Sequence, residues 1–213
     1  ALYVASARWT DRMWSHIAPT DRKRKGAFDV MFTRYGYGQP NLERALNSAN
    51  SSITLIVQDS IRPYENKGSG RKLNEMRLFE LPWPTNVLRS LVGQEVTLRV
   101  ALSTFIEPNP SEVARGRKNR YASDSGEWDF GHNRRSVGSM HIDTLTVAAS
   151  DLAQRGVLAV YPVGGWWKEN CKVDPERCVA RFSLVVEIDA SEAEVDLYAE
   201  VQPKVAPQAA IQV

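Results

Sequence analysis

From Ser51 onward the apolar residues recur at every second position, and that period constrains the chain more than any other feature. In Glu95-Val96-Thr97-Leu98-Arg99-Val100-Ala101-Leu102, the residues Val96, Leu98, Val100 and Leu102 fall on one face, with Thr97 and Arg99 on the other. Successive side chains of a strand point to opposite sides of the sheet, so such a segment buries one face and wets the other. Arg99 is accordingly expected to face solvent. In Arg181-Phe182-Ser183-Leu184-Val185-Val186-Glu187-Ile188 the inward set is Phe182, Leu184, Val186 and Ile188. The same reading predicts strands over 53–58, 75–80, 139–148, 157–163 and 195–201. A short helix is expected over 149–155, where Ser150 or Asp151 caps and Gly156 stops it. Many short strands divided by Gly, Pro and Asn predict a mainly β fold: an antiparallel, jelly-roll-like β-sandwich.

Residues 1–47 have a different character. Leu2, Val4, Ala5 and Ala7 read as a helix already under way at the first residue, and 15–34 as a polar surface loop or partial helix. In Tyr35-Gly36-Tyr37-Gly38-Gln39-Pro40-Asn41-Leu42 the glycines allow a bend at φ > 0. Asn41 can then cap a helix that carries Leu42, Ala45 and Leu46. A boundary near residue 48 therefore separates a helical segment, 1–47, from a β-domain, 48–213.

Composition narrows the classes of function. The 213 residues are 43% hydrophobic and 24% charged, enough for a core and an ordinary soluble surface. A net charge of +2 makes no global case for a nucleic-acid partner. The basic clusters at 22–25 and 115–120 read as solvated loops. The apolar runs fall far short of the roughly 20 residues that a membrane span needs, so no membrane is expected as a partner.

Several side-chain groups could carry chemistry. His141 and Asp143 lie two apart on a predicted strand and share a face, which reads as a His–Asp pair on a sheet surface. With His132 they would offer a metal three ligands, but without the tight spacing of an established site. Trp166 and Trp167, after Gly164-Gly165, suit either a cap on the sandwich core or an aromatic ledge for a peptide or sugar. Cys171 and Cys178 flank a polar loop; they suit a disulfide in an oxidising compartment and two thiols in a reducing one. Neither Gly164-Gly165 nor Gly68-Ser69-Gly70 has phosphate-loop spacing, and no cofactor is expected.

Two segments carry a resemblance. Ala1-Leu2-Tyr3-Val4-Ala5-Ser6-Ala7, followed downstream by Gly36-Tyr37-Gly38-Gln39-Pro40-Asn41, resembles the close of the catalytic domain in subtilisin-like serine peptidases. Later phrases resemble the C-terminal β-rich domain of one bacterial branch of that family. They are Met76-Arg77-Leu78-Phe79-Glu80-Leu81-Pro82-Trp83-Pro84, Thr104-Phe105-Ile106-Glu107-Pro108-Asn109-Pro110, Arg120-Tyr121-Ala122-Ser123, Gly138-Ser139-Met140-His141-Ile142-Asp143 and Val160-Tyr161-Pro162-Val163-Gly164-Gly165-Trp166-Trp167.

The resemblance implies the tail of a peptidase that works through an Asp/His/Ser triad, located in the bacterial cytoplasm. The segments that would carry the triad are not in this sequence, so no catalytic residue is expected here. Implied partners are the remainder of the catalytic domain and an AAA-type ATPase. If Leu2, Tyr3, Val4, Trp9, Met13 and Trp14 have lost that partner, they expose an apolar face suited to self-association through 1–47. The rival reading is a non-enzymatic jelly-roll module that recognises carbohydrate or protein.

Overall fold

The computed structural model describes residues 2–22, 25–42, 52–68, 70–104, 135–137, 140–162, 179–190, 195–197 and 201. The chain divides into two compact units, Ala1–Asn47 and Ser48–Val213.

The first unit is built from short helices: α1 (Leu2–Ala5), α2 (Asp11–Trp14), a 3-10 turn (Pro19–Asp21) and α3 (Lys25–Tyr35). The Thr10 hydroxyl caps α2 by accepting from the Met13 N–H at 3.3 Å. Trp9 anchors the interior. Its ring meets Trp14 and Phe32 edge-on, with centroids at 5.2 and 5.3 Å, and its Nε1 donates to Gly36 O at 2.9 Å. Trp9, Ala5, Ala7, Ala27 and Met31 are buried. The expected apolar face is therefore smaller than its residue list. Trp9 turns inward because its N–H finds a carbonyl and its ring finds aromatic edges, while Trp14 is half-buried under the Arg22 guanidinium, 5.6 Å from its centroid. Tyr3 remains 71% exposed.

The second unit is mainly β and antiparallel. Its strands are β1 (Ser52–Ile61), β2 (Tyr64–Lys67), β3 (Gly70–Leu73), β4 (Arg77–Glu80), β5 (Glu95–Thr104), β6 (Arg135–Val137), β7 (Met140–Ala148), β8 (Val157–Val160) and β9 (Ala180–Asp189). Short helices interrupt them, among them α4 (Thr85–Ser90) and α5 (Ala149–Leu152). The main sheet runs β1-β9-β5-β7-β6, every pairing antiparallel, with β2–β3 and β4–β8 as separate two-stranded ribbons.

One face of the main sheet carries Val96, Leu98, Val100 and Leu102 of β5 beside Leu184, Val186 and Ile188 of β9. This face packs in one apolar cluster with Leu158 and Val160 of β8, Leu88 of α4 and Leu152 of α5. Among the described residues the second layer is thus the β4–β8 ribbon with two short helices. Trp83 ties them together by donating from Nε1 to Leu152 O at 2.7 Å.

Two local expectations change. Leu197 and Val201, read as part of a strand, are both helical and both buried. Arg99 lies opposite Val100 and Leu98 in facing, as the alternation requires, but it is only 4% exposed. The second face of the sheet is covered at its centre too: Ala101, Ile142, Val185 and Glu187 are also buried there.

Candidate functional site

The register orders the second face into rows. Arg99 pairs with Glu187 and Thr144; the next row is Ile142, Ala101, Val185 and Ile56; the next is Met140, Ser103, Ser183 and Gln58; the last is Arg181 with Ser60. Directly opposed residues of an antiparallel pair place their Cβ atoms about 4.5–5.5 Å apart, so each row forms a continuous ledge across the strands.

At the centre of the sheet the covering of this face ends between the second and third rows, while Ile56 on the edge strand is already exposed. Ala101, Val185 and Ile142 are at most 1% exposed, whereas Ser103 and Ser183 are half-buried and Gln58 and Arg181 are exposed. An open cleft of about 580 Å³ begins there, lined by Gln58, Asp59, Ser60, Ser103, Thr104, Arg181, Phe182 and Ser183. Small side chains on three adjacent strands make its floor.

The charges in the cleft are unequally committed. Asp59 Oδ2 accepts from Arg77 Nε at 3.0 Å, and Asp59 Oδ1 accepts from the Ser60 N–H at 2.7 Å. Arg77 Nη2 lies a further 4.0 Å from Glu75 Oε2. Among the described residues, no hydrogen bond or ion pair engages the side chains of Arg181, Ser103, Ser183 or Gln58. The cleft therefore offers one guanidinium fork, three serine hydroxyls and one amide to whatever enters it.

The residues singled out from the sequence lie elsewhere. His141 and Asp143 do share a face, but they are 4% and 1% exposed and do not form a surface pair. Their register partners on β5 are Leu102 and Val100, so they sit on the apolar side of the sheet. Position parity places them there: a residue in register with an inward leucine must itself point inward. Asp143 Oδ1 accepts from the Thr144 N–H at 2.9 Å. Trp166, Trp167, Cys171, Cys178 and His132 lie outside the described residues. Among the described residues, no group of three His, Cys, Asp or Glu side chains could hold a metal ion.

The cleft residues escaped sequence reasoning because each is an ordinary outward-facing polar residue on its own strand. The available signal was that β1, β5 and β9 all turn small and polar at one end: Gln58 and Ser60, Ser103, and Arg181 and Ser183. Nothing local says that these three ends meet.

A second, smaller hollow of about 310 Å³ lies between Trp83, Leu81 and Leu98 on one side and 154–158 on the other. Its walls are mostly apolar side chains of the core cluster and its margin, and it reads as imperfect packing between the layers. Comparison with protein-family models, curated proteins and solved structures yields no match.

Proposed function

We propose that this chain is the C-terminal accessory region of a subtilisin-like serine peptidase. Residues 1–47 end the catalytic domain, and 48–213 form a β-domain that packs on and stabilises it. The triad belongs to the rest of the enzyme; this chain contributes none of its residues and does not hydrolyse peptides by itself. A serine hydroxyl is a poor nucleophile without a base and an orienting acid beside it.

One observation carries the reading. The two segments that resemble the closing motifs lie against one another, although the whole of α2 and α3 separates them. Arg8 and Gln39 exchange backbone hydrogen bonds of 3.1 and 2.9 Å, and the Asn41 N–H donates to Ser6 Oγ at 3.3 Å. Gly38, at φ +99°, passes so close to Arg8 that a Cβ would stand 2.4 Å from its carbonyl oxygen. Two motifs that recur together in a family are expected to share one structural job, and here they form one joint.

The remaining catalytic domain would cover the apolar residues at the start of the chain, including exposed Tyr3. An AAA-type ATPase as a further partner and a bacterial cytoplasmic location rest on the family resemblance. The test is the reading frame upstream of Ala1. A G-T-S-x-x-x-P segment there supports the peptidase, and a frame without one overturns it.

The cleft favours a second reading, a binding module that acts without chemistry. Its uncommitted polar groups suit recognition, and they need no triad.

A further inference from the structure

We infer that the cleft at the end of β1, β5 and β9 binds an extended peptide segment carrying a carboxylate side chain. This inference rests on the binding-module reading of the cleft and is independent of the triad. It follows from three features: what the cleft offers, what it lacks and what surrounds it.

The cleft offers a fork and a ledge. Arg181 pairs in register with Ser60, one row beyond Ser103, Ser183 and Gln58. Its guanidinium is exposed and, among the described residues, uncommitted. A planar guanidinium holds a carboxylate through two parallel N–H···O bonds, a geometry that a point charge cannot reproduce. The ledge presents two hydroxyls and an amide, each able to donate and accept. A peptide backbone, which alternates N–H and C=O along its length, asks for that combination.

The ligand's charge follows from how the acid in the cleft is used. Asp59, the carboxylate that would repel an anion, is held by Arg77 at 3.0 Å and by the Ser60 N–H at 2.7 Å. Arg181 forms no ion pair among the described residues.

The missing element is an aromatic platform. Phe182 is the aromatic residue among the described lining residues. It is 4% exposed and packs edge-on against Phe79, with centroids 6.0 Å apart. Sugar recognition relies on a ring laid against the apolar face of the sugar, and this cleft presents none from its described walls. Beside the ledge, the next row instead ends in Ile56, 54% exposed. That gives an apolar side chain of a peptide somewhere to rest. The volume of about 580 Å³ lies within the ~300–1,000 Å³ of ordinary ligand sites.

The test is fluorescence anisotropy of the intact chain with a fluorescein-labelled Gly-Ser-Glu-Ser-Glu-Ser-Gly peptide, against the same peptide with Gln for Glu. Saturable binding of the Glu peptide, weakened about tenfold or more by Gln in the peptide or by Arg181→Gln in the protein, is expected. Arg181 is exposed, so the variant should keep its circular dichroism spectrum and melting temperature. Arg181→Lys should recover only part of the loss, because a point charge replaces a fork. Ser183→Val supplies a second variant on the ledge and should weaken both peptides alike.

Equal binding of the two peptides, or binding unchanged in Arg181→Gln, overturns the assignment. Displacement of bound Glu peptide by inorganic phosphate at micromolar concentration would show a phosphate site and overturn it too. A saturable glycan signal with no peptide binding would defeat the proposal yet leave the binding-module reading standing; silence from every probe defeats both.

Discussion

Arg99→Ala should destabilise the β-domain by about 2–4 kcal/mol, close to the cost of Leu98→Ala beside it. Leu98 is 2% exposed, faces Leu145 and Ile188 across its two neighbouring strands, and belongs to the central apolar cluster. Removing a leucine side chain from such a site costs about 2–5 kcal/mol, the spread reflecting how far the surroundings collapse. Arg99 points the other way, and an exposed arginine there would cost under about 1 kcal/mol to truncate. It is not exposed. At 4% exposure it lies directly opposite Glu187, itself 4% exposed, with the fully buried Ala101 and Val185 in the next row. Truncation removes a buried guanidinium together with the interactions it makes, and a buried polar group left unsatisfied costs about 1–3 kcal/mol on top of the lost packing. Some relaxation and water entry lower that figure.

Neither buried charge need be strongly stabilising, because taking a charge out of water offsets most of what its interactions return. The double variant Arg99→Met with Glu187→Leu should therefore recover most of the loss. Urea unfolding followed by circular dichroism measures all three, with constant m-values securing the comparison. An Arg99→Ala cost below about 1 kcal/mol would refute the reasoning, since it would mean that water reaches this face of the sheet.

Three further outcomes follow. Gly38→Ala should disrupt the first unit by more than about 2 kcal/mol, because its Cβ would stand 2.4 Å from Arg8 O at φ +99°. Gly36→Ala, with open space around it at φ +56°, should cost only about 1 kcal/mol, and equal melting shifts would show that the close approach is wrong. The purified chain should not react with a fluorophosphonate probe; labelling of any serine would reveal a nucleophile and contradict the inactive assignment. Deleting 1–47 should leave a folded β-domain by circular dichroism and shift any oligomer towards monomer in analytical ultracentrifugation. Complete unfolding would show that the two units fold as one.

The alternation of Val96, Leu98, Val100 and Leu102 was legible in the sequence because it is a local property: successive Cβ atoms of a strand point to opposite sides whatever surrounds them. The bend at Gly36 and Gly38 was legible for the same reason, since the backbone there needs φ > 0.

Tertiary structure alone decided what each face meets. Parity distinguishes Arg99 from Leu98, but no local rule says that the face of Arg99 is covered, because burial depends on segments distant in sequence. His141 and Asp143 share a face by parity, and only the pairing of β7 with β5 turned that face to the apolar side. Leu197 and Val201 fit an alternating pattern, yet each is helical and buried. The cleft is the extreme case. Gln58, Ser103 and Ser183 become neighbours only because β9 inserts between β1 and β5, a pairing set by the free energy of the whole sheet and by no single strand.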